Sequence, residues 1–303
     1  MKETPALQVM RSARRLGLVL AGGSLRCAFQ IGVIETLRVL GLRPQVLVAV
    51  SAGVWNASAV AAGTDHRLRR YWRAFARMPL VDVANLWREH SPFRFGLLHG
   101  RTFPKYVGAE RLRNAELPLW IGVTRLSDMR AAFFDARRFD DPLPLLLASN
   151  YLPPFFTHAP LIDGERMGDG GIADNLPYEK AFEEGCDAVL LVTVRGESEG
   201  LPFKSAEEPE HEIPRDLAGR LVTIRPRHRL PATFTERRWP VLEQTIEIGR
   251  LRAREVLLGE AHAETEARGE ETGLTPLILQ LATKGAAVLA SRRRVRAEPS
   301  PAG

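Results

Sequence analysis

Short apolar runs recur along the chain and predict the strands of a sheet. They cover residues 16–21, 46–50, 119–124, 188–194 and 220–224. Helical patterns separate them, and near-continuous apolar strands are typical of a parallel sheet that is covered on both faces. The pattern therefore predicts an α/β fold.

Helices are predicted directly after the first two strands. Ile31, Ile34 and Leu37 share one helical stripe, and Gly41 stands where a glycine commonly ends a helix. After the second strand, residues 52–62 are rich in alanine and end at Gly63. Each of the first two strands is thus expected to turn directly into a helix.

The regular alternation fails in two segments. Residues 78–118 contain scattered prolines and aromatics, which predict short helices and loops inserted into the sheet topology as a candidate lid or substrate cap. The aromatics are Trp87, Phe93, Phe95 and Phe103. Residues 197–218 are polar and acidic and are expected to form a solvated loop.

The C-terminal segment allows two interpretations. Leu274, Leu277, Ile278 and Leu281 form a helical stripe that precedes the basic residues 292–294. Such a helix can pack on the body of the protein and leave a disordered tail. Alternatively, it can rest on anionic lipid as a peripheral membrane contact. Both remain open.

Charge is concentrated at the two ends of the 303-residue chain. Lysine and arginine exceed acidic residues by 42 to 36, a net +6, of which residues 1–15 and 291–303 contribute +3 each. Both ends are expected to be frayed, and the remaining body has no net charge. A nucleic-acid partner is therefore not expected, since it would require a basic patch on the folded surface.

The two cysteines and the short apolar run near the N-terminus bear on localisation. Cys27 and Cys186 offer neither a disulfide framework nor metal-ligand spacing, so they are expected to be small buried hydrophobes in a reducing compartment. The run at 16–21 is too short for a signal peptide, and no apolar stretch is long enough to span a membrane. We expect a cytoplasmic protein.

Ser51 lies at the turn between the second strand and its helix. Its context, Ala49-Val50-Ser51-Ala52-Gly53, differs by one residue from the G-x-S-x-G turn that presents a nucleophilic serine. The small neighbours suit a sharp turn, although Ala49 adds a methyl group. The alternative interpretation is an ordinary serine at a helix N-terminus.

A glycine-rich loop lies at the equivalent turn after the first strand. In Gly22-Gly23-Ser24-Leu25-Arg26, backbone N–H groups and a helix N-terminus would collect at one point, which suits an anion or a developing oxyanion. Nucleotide binding is the weaker alternative. The dinucleotide fingerprint requires glycine where Ser24 and Cys27 stand, and an acidic residue near Val46.

A third segment, Gly168-Asp169-Gly170-Gly171, places a carboxylate between glycines. Flanking glycines permit close turns, which suits an acid that must be aimed into a cleft. Asp-Gly also occurs in ordinary surface turns, so Asp169 alone decides nothing.

The three segments together resemble the patatin-like phospholipase family. That family combines a glycine-rich oxyanion loop with a basic residue, a G-x-S-x-G turn and an Asp-Gly-Gly or Asp-Gly-Ala segment, in the order found here. Residues 148–156 (ASNYLPPFF) and Asn175-Leu176-Pro177 also match the stretches that flank the family's aspartate. The resemblance covers roughly residues 16–195.

The resemblance implies a serine carboxylic ester hydrolase of the phospholipase or lipid acyl hydrolase type, with a three-layer α/β/α fold around a mainly parallel sheet. It implies no metal and no cofactor, and a lipid or other acyl ester as substrate. Three segments are expected: a basic extension (1–15), the hydrolase domain (16–255), and a C-terminal helix with a basic tail (256–303). The implied roles are nucleophile for Ser51, general base for Asp169, oxyanion-hole loop for Gly22, Gly23, Ser24 and Arg26, and small motif positions for Ala49, Gly53, Gly170 and Gly171.

Three departures from the family pattern bear on activity. Ser24, Cys27 and Ala49 stand where the family has glycine, so Ser24 is expected to crowd or supplement the oxyanion donors, and Cys27 to shift the helix start if that glycine needs a positive φ. The alternative function is therefore a catalytically impaired, lipid-binding protein of the same fold.

The histidines favour a Ser-Asp dyad over a Ser-His-Asp triad. His158 is the best placed, but it has no context typical of a catalytic histidine. The others are expected to be solvated: His66, His90, His99, His211, His228 and His262. The aromatics of 87–103, with Phe155 and Phe156, are expected either to line an acyl channel or to form ordinary core.

Overall fold

The central sheet brings the five predicted runs together. A computed structural model describes residues 3–79, 94–152 and 159–261. Its strands are β1 (Leu16–Leu20), β2 (Val46–Val50), β3 (Leu119–Arg125), β4 (Ala131–Asp135), β5 (Leu161–Ile162), β6 (Glu165–Asp169), β7 (Ala188–Val192) and β8 (Leu221–Ile224). The sheet order is β5-β6-β3-β2-β1-β7-β8, with β4 also paired to β3. Neighbours from β3 to β8 in this order are parallel, whereas β4 and β6 are antiparallel to β3.

Helices cover both faces of this sheet. They are α1 (Pro5–Ser12), α2 (Ala28–Val39), α3 (Gly53–Ala61), α4 (Leu68–Arg77), α5 (Phe95–Tyr106), α6 (Ala109–Arg113), α7 (Leu143–Ala148), α8 (Gly170–Ala173), α9 (Tyr178–Glu183) and α10 (Trp239–Leu258). Along β1, Leu18 and Leu20 face a core that includes α2, α3 and α10, and Val19 faces a smaller core with α9. The predicted three-layer α/β/α fold is confirmed.

The N-terminal segment is attached to the body, which corrects the expectation that it is frayed. Thr4 caps α1, and its Oγ1 also donates to the carbonyl of Leu257 in α10 at 2.7 Å. Leu7 and Met10 are buried. A buried apolar stripe on a capped helix outweighs the local charge of this segment.

The polar loop at 197–218 is irregular, but its middle is not simply solvated. The Asn175 N–H donates to the Lys204 carbonyl at 2.5 Å, and the Ala206 N–H donates to the Ile172 carbonyl at 2.8 Å. These bonds hold the loop against the segment that follows Asp169. The solvent exposure that the acidic composition predicts therefore applies only to the outer residues of the loop.

Other expectations fall partly outside the described residues. The described part of the predicted insertion contains α5 and α6, whereas residues 80–93 and the C-terminal segment from 262 onward lie outside. Within the described ranges, no helix is long and apolar enough to cross a membrane.

Candidate active site

Strand β3 brings Ser51 and Asp169 together through its register. On one edge of β3, β2 pairs as far as Val50 opposite Gly122, and β6 pairs from Asp169 opposite Val123. The other edge is occupied by β4. Along this edge of β3, the pairing with β2 stops at Gly122 and the pairing with β6 takes over at the next residue, Val123. This register places Ser51, the residue after Val50, beside Asp169, the last residue of β6.

Ser51 occupies a strained turn that neighbouring side chains hold in place. Its φ is +50°, which is unusual for a residue other than glycine. Its N–H donates to Ser149 Oγ at 2.8 Å, and its carbonyl accepts from Asn150 Nδ2 at 3.1 Å. Strain of this kind persists only where the surroundings determine the backbone. The predicted strand-to-helix turn is present.

Asp169 is buried and accepts the Ser51 hydroxyl. Ser51 Oγ donates to Asp169 Oδ2 at 2.7 Å, and the Gly171 N–H donates to Asp169 Oδ1 at 2.8 Å. Only 4% of Asp169 is exposed, and this burial raises its pKa from 3.8 to about 7 although both hydrogen bonds lower it. Thr124 Oγ1 fixes the backbone by donating to the Asp169 carbonyl at 2.7 Å.

The small motif residues permit close packing of this turn region. A Cβ on Gly53, the first residue of α3, would lie 2.5 Å from the Leu20 carbonyl oxygen. A Cβ on Gly170 would lie 2.2 Å from the Gly122 carbonyl oxygen. Side chains at either position would push the two turns away from the sheet.

The glycine-rich loop lies beside this pair. The Gly22 N–H donates to Asn175 Oδ1 at 2.9 Å, so Gly22 shapes the loop but does not offer its N–H to a ligand. In the described part of the chain, the N–H groups of Gly23 and Ser24 have no acceptor. Both are available for an anion. Arg26 also lies beside this loop, and its Nε donates to the Gly23 carbonyl in a long, weak hydrogen bond of 3.4 Å.

The three departures from the family pattern are accommodated. Ser24 has a φ of +53°, and its hydroxyl donates to the Phe234 carbonyl at 2.7 Å. Cys27 has an ordinary φ of −64° and is buried, so the expected shift of the helix start does not arise. Ala49 lies buried within β2. Cys186 is likewise buried, as expected for both cysteines.

Two cavities meet at Ser51 and Asp169. One, of about 60 Å³, is lined largely by rings: Trp55, Tyr71, Trp72, Phe75, His99 and Phe234. The other, of about 420 Å³, has a more polar wall with Arg26, Thr193, Arg195 and Glu199. An ester carbonyl at Ser51 would therefore have an apolar cavity on one side and a polar cavity on the other.

The aromatic residues of the wall differ from those expected. Phe103 packs edge-on against Trp55 as part of the core, with 1% of its surface exposed. Trp87, Phe93, Phe155, Phe156 and the side chain of Phe95 lie outside the described residues. The rings around the cavity come instead mainly from α3 and α4, whose aromatics the sequence pattern did not distinguish from core.

One expected solvated histidine is buried in this wall. His99 is only 7% exposed, because α5 packs it against the aromatics of α3 and α4. His211 is also not simply solvated, since its ring contacts the Tyr178 hydroxyl and Glu208. His158, His90 and His262 lie outside the described residues.

The fold and the site define a class of protein: an α/β protein with a serine and a buried carboxylate hydrogen-bonded at the carboxyl end of a parallel strand. A family model described as patatin-like phospholipase matches residues 18–182, more than half of the chain. The chain belongs to the patatin-like phospholipase family.

Individual similarities are more distant. The uncharacterized protein YjjU of Escherichia coli (strain K12) is 24% identical over 193 residues, which are 59% of this chain and 51% of YjjU. The chain thus spans about half the length of this curated relative. VipD from Legionella pneumophila is 14% identical, with a TM-score of 0.49, over 81% of this chain and 67% of VipD. In the complex of ExoU with SpcU from Pseudomonas aeruginosa, the matched chain is 14% identical, with a TM-score of 0.35, over 92% of this chain and 61% of that chain.

Several residues that support the site could not be assigned a role from the sequence. Ser149, Asn150 and Asn175 belong to stretches that match the family, but that match gave them no function. Thr124 and Phe234 carry no motif at all. Their contacts join segments far apart in the chain, so only the folded structure connects them to the site.

Proposed function

We propose that this protein is a serine acyl hydrolase in which Ser51 and Asp169 act as a catalytic dyad on lipid esters. The observation that carries the proposal is the 2.7 Å hydrogen bond from Ser51 Oγ to Asp169 Oδ2 at the meeting point of two cavities. Family membership supports an ester hydrolase, and the assignment of the two roles is ours.

In the first half-reaction, ionised Asp169 takes the proton of Ser51 as Oγ attacks the ester carbonyl carbon. The resulting oxyanion accepts from the N–H groups of Gly23 and Ser24, and Arg26 adds positive charge nearby. The tetrahedral intermediate then collapses. The bond to the leaving alkoxide breaks, the alkoxide takes the proton from Asp169, and the acyl group remains on Ser51.

In the second half-reaction, water replaces the departed alcohol. Asp169 takes a proton from this water as its oxygen attacks the acyl carbon of the Ser51 ester. Collapse of the second intermediate breaks the bond to Ser51 Oγ, which recovers its proton from Asp169. The carboxylic acid leaves, and the dyad returns to its starting state.

The cavities support a substrate with one apolar and one polar part. The aromatic cavity suits an acyl chain, since burial of alkyl surface is favourable, and the wall with Arg26 and Arg195 suits the alcohol part. Peripheral membrane contact through the C-terminal tail and cytoplasmic localisation remain predictions.

The experiment is labelling of the purified protein with a fluorophosphonate probe. We expect labelling of the wild type, none in Ser51→Ala, and a steep loss in Asp169→Asn. Ser58→Ala, in the helix that follows Ser51, and Asp163→Asn, in the exposed β5-β6 turn, are matched controls that should label normally. Circular dichroism establishes that each variant is folded.

Two outcomes would redirect the proposal. A folded wild type that binds fatty acid but neither labels nor hydrolyses a nitrophenyl ester would be the lipid-binding alternative. Thermal stabilisation by nucleotide but not by lipid would favour the nucleotide-binding alternative.

A further inference from the structure

Lys204, in the polar loop at 197–218, is largely buried against the turn that follows Asp169. Its side chain is only 13% exposed, and Nζ lies 4.6 Å from the centroid of the Tyr178 ring. The same ammonium contacts three oxygen acceptors, all within residues 174–179. They are the Asp174 carboxylate at 3.0 Å, the Glu179 carboxylate at 2.7 Å and the Leu176 carbonyl at 2.9 Å. An ammonium has three N–H donors, so this turn provides an acceptor for each of them.

The conformation of this turn depends on Lys204. Lysine is seldom buried unless it is paired, and ordering its long side chain costs entropy. Burial raises the pKa of Asp174, and the Lys204 ammonium opposes that rise. Without the ammonium, a buried carboxylate would lose its cation, which is strongly unfavourable. The turn would then have to rearrange.

The backbone of the same loop holds Asn175 within this turn. The Asn175 N–H donates to the Lys204 carbonyl at 2.5 Å, and its Nδ2 donates to the Phe203 carbonyl at 3.3 Å. The remaining polar atom of the side chain, Oδ1, accepts the Gly22 N–H at 2.9 Å. The Asn175 side chain therefore joins the polar loop to the glycine-rich loop.

The position of Gly22 matters because it precedes the two available N–H groups, those of Gly23 and Ser24. Gly22 also packs closely on the nucleophile, since a Cβ there would lie 2.6 Å from Ser51 Cβ. A movement of Gly22 would thus displace these donors relative to the attacking oxygen. A misplacement of about 1 Å can reduce a rate by up to about 10²-fold.

We propose that Lys204 is a positioning residue for the oxyanion loop, because it fixes the turn that presents Asn175 to Gly22. The inference rests on the proposed function, since it takes the N–H groups of Gly23 and Ser24 as oxyanion donors. Lys204 lines neither of the two cavities at Ser51, so it acts only through these contacts.

The kinetic test is Lys204→Met, which removes the charge but keeps a long side chain. We expect kcat for a nitrophenyl ester to fall by about tenfold, with a smaller change in KM. Glu179→Gln weakens the same contacts at their more exposed carboxylate, should lower kcat by about twofold, and tests the proposal independently if Lys204→Met does not fold.

Lys180→Met is the matched control. Lys180 is 15% exposed, pairs with Glu184 at 2.7 Å and lies 4.0 Å from the centroid of the Trp120 ring, so its surroundings resemble those of Lys204. It should retain the wild-type kcat. An unchanged kcat in Lys204→Met, or the same loss in Lys180→Met, would overturn the positioning role.

A double variant tests whether Lys204 acts through Asn175. If it does, Lys204→Met combined with Asn175→Ala should have a kcat within about twofold of Asn175→Ala alone. Losses that multiply would show that the two residues act independently, and would overturn the proposed connection.

Hydrogen exchange of the Gly22 N–H, measured by NMR, tests the connection without turnover. We expect exchange at least about tenfold faster in Lys204→Met than in the wild type, and unchanged exchange at Val48, which is buried in β2. Unchanged exchange at Gly22, or equal acceleration at Val48 through global unfolding, would overturn the role of Lys204. Lys204-dependent protection of Gly22 in a protein that hydrolyses no ester would overturn the hydrolase proposal alone.

Discussion

Two neighbouring turns share a backbone conformation, but their serine side chains have different partners. Strands β1 and β2 are adjacent and parallel, and each leads into a helix through a serine with positive φ, +53° at Ser24 and +50° at Ser51. Ser24 donates its hydroxyl to the Phe234 carbonyl, whereas Ser51 donates to Asp169. The first hydroxyl is held by a neutral carbonyl, and the second by a group that can accept a proton.

The difference teaches that a strained turn does not by itself make a nucleophile. Both backbones store strain of about 1–3 kcal/mol, a common property of functional sites. Only the second turn faces a carboxylate whose pKa is about 7. In our proposal the first turn supplies backbone N–H groups and the second supplies the attacking oxygen.

Asp169→Asn tests the partner that distinguishes the turns and should have the largest effect. Without a proton acceptor, kcat/KM for a nitrophenyl ester should fall by about 10³-fold or more. In the wild type, kcat/KM should rise with pH and reach half its maximum near pH 7, because the acceptor must be ionised. An unchanged rate, or a profile shared with the inactive variant, would exclude Asp169 as the base; Asp163→Asn serves as the control.

The same substitution should stabilise the protein at high pH. Burial raises the Asp169 pKa from 3.8 to about 7, so the folded state binds a proton that the unfolded chain releases between those values. This stability is present below about pH 4 and is lost as the pH rises to about 7. Urea unfolding should show Asp169→Asn more stable than the wild type by a few kcal/mol near pH 8, and little different near pH 4. A wild-type protein that is more stable than Asp169→Asn near pH 8 would contradict this prediction.

Gly23→Ala tests the backbone of the first turn. Gly23 has a φ of +156°, and a Cβ there would lie 2.2 Å from Val194 Cγ2. The loop must move, so kcat should fall by about 10²-fold, a typical loss for a displaced oxyanion donor. Gly63→Ala, also at positive φ but in open space, should lower stability without this loss of kcat. Equal kcat values for both variants would argue against the loop as the oxyanion site.

Asn175→Ala removes the side chain that links the glycine-rich loop at Gly22 to the segment after Asp169. It leaves the buried Gly22 N–H without an acceptor, at a cost of about 1–3 kcal/mol in unfolding free energy. Loosening of the loop should lower kcat by about tenfold and change KM less. Asn114→Ala, at an exposed position, provides the control. A change confined to KM would place Asn175 in substrate binding instead.

Ser24→Gly should have the smallest effect. It restores the family residue and relieves the positive φ, but it loses the hydrogen bond to Phe234, worth about 1 kcal/mol. We expect kcat/KM to stay within about threefold. A large gain would mean that Ser24 impairs the site and would strengthen the lipid-binding alternative.

The sequence predicted the elements whose pattern is local. The five apolar runs and the turns at Ser51 and Gly22 follow from periodicity and from small residues beside a strand. Strands β4, β5 and β6 were not predicted, because they are short, half-exposed or glycine-containing and depend on pairing with β3 or with one another. Helix α10 was also not predicted, since Gly249 interrupts its pattern where it contacts α2. A Cβ on Gly249 would lie 1.9 Å from the Phe29 carbonyl oxygen, which explains that glycine.

The surroundings of individual side chains could not be predicted without the folded structure. His99 was expected to be solvated, yet α5 stacks its ring on Trp55 and Phe75. Likewise, the proximity of Ser51 to Asp169 depends on the register of β2 and β6 along β3. Neither contact is visible in residues that are neighbours in the sequence.

The central claim is that Ser51 becomes acylated. The most direct test is to measure the mass of the protein after it has reacted with an ester. Wild-type protein mixed with a nitrophenyl ester and quenched in acid should carry one acyl group in place of a hydrogen, and peptide mapping should locate it on Ser51. Ser51→Ala should carry none. Turnover without an acyl group on Ser51, or acylation of another residue that accounts for turnover, would contradict the account.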